Sequence, residues 1–112
     1  MEKGFLNKKD SLALEEFRLR VLRLLGKDLE KIALFGSKAE GRDTAESDID
    51  VFILIKDSKR VMRRQIFDEA FEVNLKYGVY ISPRVITLHT YQHPIWRMTP
   101  FLKRLRDKAI PL

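Results

Sequence analysis

No cysteine occurs among the 112 residues, which excludes disulfides, thiol nucleophiles and cysteine-ligated metals. Glycine is scarce, at five, and proline scarcer still, at four, so no Pro/Gly/Ser-rich linker divides the chain. Repeats and low-complexity segments are absent as well. No apolar run approaches the roughly 18 residues of a membrane span. The opening stretch, MEKGFLNKKD, lacks the apolar core of a secretory leader, so no membrane association and a cytoplasmic location are expected. The length suits one domain spanning residues 1–112 around a single core. With 45 % apolar and 34 % charged residues, the chain has the composition of a folded soluble protein.

Charge is present in excess of one sign: 22 Lys and Arg against 16 Asp and Glu, a net +6. That balance raises the question of a nucleic-acid partner. The basic residues are dispersed, however, through RLRVLR, KRVMRR and KRLRDK, interleaved with apolar residues at helical spacing. Solvated helix faces account for such a pattern, and nucleic acid is the weakest partner reading.

Leu14, Phe17, Val21, Leu24 and Leu25 recur every three or four residues and predict a helix over about 11–25, capped by Asp10 or Ser11 and ended by Gly26. KIALF reads as a short buried strand, and DIDVFILI as a central strand covered on both faces. Asp57 and Ser58 would cap a second long helix ended by Gly78, with Val61 or Met62, Ile66, Ala70 and Val73 or Phe71 facing inward. VYISPRVIT is a third strand, which Pro83 confines to an edge or a strand start. LHTYQHPIWRM looks irregular, and Thr99-Pro100 then opens a last helix in a helical tail over 89–112. The order helix, strand, strand, helix, strand, helix predicts an α+β fold, a small mixed sheet with flanking helices.

Within this frame, residues 35–50 read FGSKAEGRDTAESDID. Asp48 and Asp50, two apart on a strand, leave the same face roughly 6.6 Å apart. Two such carboxylates repel each other, and a divalent cation relieves the repulsion; Mg²⁺ is the hard ion that carboxylate and phosphate oxygens select. Gly36 at a strand end lets backbone approach a ligand closely, and the Ser37 hydroxyl can donate to phosphate oxygens. If SKAEG opens a short helix, its amino end also favours phosphate.

FGSKAEGRDTAESDIDVFILI resembles the signature of the nucleotidyltransferase superfamily with the DNA polymerase β-like fold, and specifically its minimal nucleotidyltransferase (MNT) branch. The likeness spans about residues 15–87, with 33–55 as the motif core. It implies a Mg²⁺-dependent enzyme using ATP or another nucleoside triphosphate. Gly36 and Ser37 would hold the β- and γ-phosphates, Asp48 and Asp50 would bind two Mg²⁺ ions, and Gly41 would keep the turn open. Many members of the branch pair with a HEPN protein as toxin and antitoxin, and some transfer AMP to a tyrosine of that partner.

Two positions depart from the family pattern. An Arg often precedes the second glycine, where this chain has Glu40; Lys38 or Arg42 is the expected substitute cation. Active members place a third carboxylate on the following strand, where VYISPRVIT offers only Tyr80, Ser82 or Ile81. Glu69, Glu72 and Asp107 lie on helices, and Glu46 is a loop acid close to the aspartates. A non-catalytic nucleotide-binding antitoxin is therefore the alternative to the enzyme. Among weaker signals, His89 and His93 stand four apart without a third ligand. Trp96, with Arg97 and Arg104, has the composition of an exposed partner-binding anchor. Oligomeric state is left open.

Overall fold

In the computed structural model, the described residues are 6–41, 48–56 and 60–112, with backbone alone at 60 and 61. The elements follow in the order α1 (Lys8–Leu25), a 3₁₀ turn (Gly26–Asp28), β1 (Leu29–Phe35), α2 (Ser37–Glu40), β2 (Ile49–Ile55), α3 (Arg60–Tyr77), β3 (Ile81–Thr87), α4 (Leu88–Gln92), α5 (Pro94–Arg97), α6 (Pro100–Lys108) and β4 (Ile110–Pro111). None of the described helices is long and apolar enough to cross a membrane.

The strands form one mixed sheet in the order β3-β2-β1-β4. β2 pairs antiparallel with β1 and parallel with β3, the parallel pair being joined through α3. The unbroken apolar run of β2 is explained by its central place, since both of its faces are covered. Pro83 sits on the edge strand β3, where a missing donor costs no ladder bond on the open side.

One face of the sheet packs against α1 and α3. Ile32, Leu34, Val51, Ile53, Ile55 and Val85 meet Leu14, Phe17, Val21, Ile66, Ala70 and Val73 there. Fully burying a side chain of this kind contributes about 1.5–3 kcal/mol, so this face carries most of the stability. On α3 the inward residue is Val73, while Phe71 is 60 % exposed. The opposite face, through Phe52, Leu54 and Ile86, is covered by Leu102 and Leu105 of α6. Residues 89–112 are thus a second packing layer, and they contain short helices where irregular chain was expected.

Helix ends differ from expectation in one instructive place. Asn7 caps α1 and accepts from the Asp10 N–H at 2.8 Å, one turn before the expected start. Asp10 is then free to turn inward and is buried. Gly26 and Gly78 do terminate α1 and α3, with φ of 51° and 65°, and Thr99 caps α6 ahead of Pro100. Asp57 and Ser58 lie outside the described residues. The chain's last residues add β4 beside β1, Leu34 opposite Ile110, which the sequence pattern did not signal.

Candidate active site

The site begins where β1 ends. Gly36 holds φ 76° and ψ −159°, a conformation costly for any residue with a side chain. A single-turn helix, Ser37–Glu40, follows, with the N–H groups of Ala39 and Glu40 donating to the Gly36 carbonyl. Gly41, left-handed at φ 74°, closes it by donating to the Ser37 carbonyl. The expected short helix is therefore present, and Ser37 is its half-exposed first residue.

Antiparallel register puts Phe35 opposite Asp50, which carries Gly36 alongside the Asp50 carboxylate. A Cβ built on Gly36 would overlap Asp50 Oδ2 and stand 3.2 Å from its Cγ. The two ends of the motif, separated in sequence by 13 residues, are thus in direct contact. Asp48, exposed, sits just before β2 on the same side of the chain. Burial raises the Asp50 carboxyl above the ordinary aspartate range, the Asp48 charge adds to that, and the Arg84 guanidinium opposes it. Burial and the Asp48 charge thus outweigh Arg84 at Asp50, the condition a bound cation would relieve.

The neighbouring strand settles which residues face this pair. Ser82 is level with Asp50 and Arg84 with Phe52, so both lie on the Asp50 face. Ile81 is buried on the opposite face, and Tyr80 precedes the strand, its carbonyl accepting from the Ile49 N–H at 2.8 Å. Among the described residues, no cluster of three His, Cys, Asp or Glu exists. Glu69 binds Arg20 of α1 at 2.9 Å, while Glu72 and Asp107 are exposed on helices. His89 is exposed, and His93 Nδ1 caps α5 by accepting from the Ile95 N–H. Glu46 and Arg42 lie outside the described residues.

The expected substitute cation, Lys38, points elsewhere. It is 2 % exposed and pairs with Asp10 at 3.1 Å, pinning α2 to α1. Glu40, where the family often has Arg, takes Arg104 of α6 through two bonds of 2.7 and 3.0 Å. Arg104 is therefore engaged within the fold. Trp96 also differs from the exposed anchor expected: it is half-buried in the second core, 5.7 Å from the Phe101 ring. Ile95, Arg97 and Met98 flank it on the surface. Phe35, Gly36, Glu40, Phe101, Arg104 and Leu105 line a cleft of about 150 Å³ next to the turn. Arg84, which composition alone did not single out, lies 5.1 Å over the Phe101 ring. Strand alternation from Ser82 is the signal that would have found it.

With this geometry in view, comparison with known proteins is decisive. The family model described as a nucleotidyltransferase domain matches residues 14–109. The chain belongs to the nucleotidyltransferase domain family. It is 38 % identical over 71 residues to a protein of Methanocaldococcus jannaschii named putative protein adenylyltransferase, covering 62 % of this chain and 72 % of that one. A second protein of the same name and organism is 34 % identical over 76 residues, 65 % of this chain and 52 % of its own length. This nucleotidyltransferase thus spans about half of that second relative.

Solved structures agree on the fold. A structure described as a putative minimal nucleotidyltransferase superposes with a TM-score of 0.56 at 19 % identity, covering 97 % of this chain and 100 % of its own. A toxin–antitoxin crystal structure with AMP-PNP gives 0.52 at 20 % identity, covering 87 % and 70 %. The mixed four-stranded sheet with flanking helices is the minimal nucleotidyltransferase fold.

Proposed function

We propose that this nucleotidyltransferase moves AMP from ATP to a hydroxyl of a partner protein, with Mg²⁺ held by Asp48 and Asp50. The observation that carries the reading is the contact between the Gly36 turn and the Asp50 carboxylate, since it makes one site of the phosphate turn and the acid pair. The relatives named protein adenylyltransferase support AMP and a protein acceptor. The AMP-PNP-bound neighbour supports a nucleoside triphosphate donor. A HEPN-type toxin as partner and a tyrosine as acceptor extend the same reading, in line with the toxin–antitoxin neighbours.

The donor set fits two hard divalent ions: oxygen ligands only, two carboxylates on one face, one of them kept from ionising easily by burial and then by the other. Mg²⁺ bound there would neutralise charge developing on the phosphate oxygens. Gly36 and Ser37 would hold the β- and γ-phosphates, Ser37 by donating its hydroxyl. The acceptor hydroxyl oxygen would bond to the α-phosphorus as the bridge to the β-phosphate breaks, with pyrophosphate leaving and the hydroxyl proton passing to water. Holding donor and acceptor in line is the chain's main contribution.

One observation favours a second reading, a nucleotide-binding antitoxin that acts by contact alone. β3 offers Ser82 and Arg84 toward Asp50 and no carboxylate to take the acceptor's proton. The test is incubation of the protein with proteins of its source cell, Mg²⁺ and ATP labelled at either the α- or the γ-phosphate. The enzyme reading expects a protein band labelled from α-ATP only, lost in Asp50→Asn. Absence of label, or label that survives the substitution, overturns it.

A further inference from the structure

Among the described basic side chains near the motif, Lys38 and Arg104 are already committed to carboxylates. Lys38 is buried against Asp10 at 3.1 Å, and Arg104 is gripped by Glu40. Arg84 differs from both: among the described residues no carboxylate pairs with it by hydrogen bond or ion pair, and its guanidinium carbon lies 5.1 Å from the centre of the Phe101 ring. It is exposed, and it stands on the face of the sheet that carries Asp50.

Register fixes where it can act. Ser82 is level with Asp50, so Arg84 lies one strand over and two residues along on the parallel strand, a separation of about 8 Å from strand spacing and rise. An arginine stem spans that gap. The Arg84 charge is already felt at Asp50, where it opposes the effects of burial and of Asp48. The Phe101 ring lies beneath the guanidinium and limits its conformations, and among the described residues no acceptor takes its N–H donors. A planar fork of that kind, held over an aromatic ring and short of an anion, suits bidentate binding of phosphate oxygens.

We propose that Arg84 binds the polyphosphate of the nucleoside triphosphate, supplying from β3 the positive charge that Lys38 and Arg104 cannot. The inference rests on the nucleotide reading of the Asp48–Asp50 site. It also gives the phosphates a partner on each side, Gly36-Ser37 from β1 and Arg84 from β3. Because Phe101 belongs to α6, closure of the C-terminal layer over the sheet becomes a condition for correct placement of Arg84.

Calorimetry tests this on the whole protein with ATP, AMP and inorganic tripolyphosphate as probes, each with and without Mg²⁺. Arg84→Gln, an exposed substitution, should fold as wild type does. Its affinity for ATP and for tripolyphosphate should fall about 10-fold or more, the usual loss of a charge-assisted pair, with AMP affected less than about threefold. Arg84→Lys should recover part of the loss. Phe101→Leu should weaken ATP binding while leaving AMP unchanged. Equal ATP affinity in wild type and Arg84→Gln, or tighter binding in the variant, overturns the role of Arg84. No ATP binding by wild type would instead overturn the nucleotide site itself, so the two failures are distinct.

Discussion

Replacing Gly36 with alanine separates backbone strain from the contact that defines the site. At φ 76° and ψ −159°, a region essentially reserved for glycine, a residue with a Cβ costs about 1–3 kcal/mol. That loss corresponds to a fall in Tm of about 4–8 °C per kcal/mol for a domain of this size, toward the lower end. Gly78, at φ 65°, has no atom within 4 Å of a built Cβ, so Gly78→Ala carries the strain alone. Gly36→Ala also drives its methyl into Asp50 Oδ2, and either the carboxylate or the turn has to move. A displacement near 1 Å at reacting groups costs about 100-fold in rate. Thermal unfolding and Mg-ATP titration of both variants check this. Both variants should lose Tm, Gly36→Ala the more because of the added overlap, with nucleotide binding and transfer lost only in Gly36→Ala. If Gly36→Ala binds nucleotide as tightly as Gly78→Ala does, the contact has no functional role and the reasoning fails.

Other outcomes follow from the ion pairs. Lys38→Met leaves Asp10 buried without its cation and should destabilise the fold by about 3–5 kcal/mol, whereas Lys38→Met with Asp10→Leu should recover most of that by denaturant titration. Glu16 accepts from Lys76 at 2.7 Å, Tyr77 at 2.9 Å and Arg20 at 3.1 Å, and these bonds, Lys76 first, lower its pKa from 4.5 to about 2. A lowered carboxyl pKa stabilises the fold above the ordinary value and ceases to do so as pH falls through the lowered one. Stability should therefore decline between pH 4.5 and 2, and Glu16→Gln should flatten that decline in acid unfolding curves. Phe71→Ser, on the outer face of α3, should stay within about 0.5 kcal/mol of wild type.

What could be read from the sequence was whatever local spacing encodes. The unbroken apolar run Val51–Ile55 gave a central strand, Pro83 an edge, and Thr99-Pro100 a helix start, because each follows from patterning or hydrogen-bonding limits within a few residues. The acid pair and the glycine turn were legible for the same reason. Asn7 was missed as the α1 cap because Asp10 is an equally good cap by type; its burial against Lys38 depends on a helix 28 residues away. Trp96 was misjudged as exposed since its cover, Phe101, belongs to another helix. β4 is two residues long and exists only through its pairing with β1. Arg84 could not be singled out until register placed it diagonal to Asp50.

The most direct measurement is the Mg²⁺ dependence of ATP binding in wild type, Asp48→Asn and Asp50→Asn. One site made of Gly36, Ser37, Asp48 and Asp50 predicts that Mg²⁺ strengthens ATP binding in wild type by 10-fold or more, roughly one charge-assisted interaction. Each substitution should abolish that gain while the protein remains folded. An undiminished Mg²⁺ effect in Asp50→Asn would contradict the account, because nucleotide and metal would then bind away from the contact between Gly36 and Asp50.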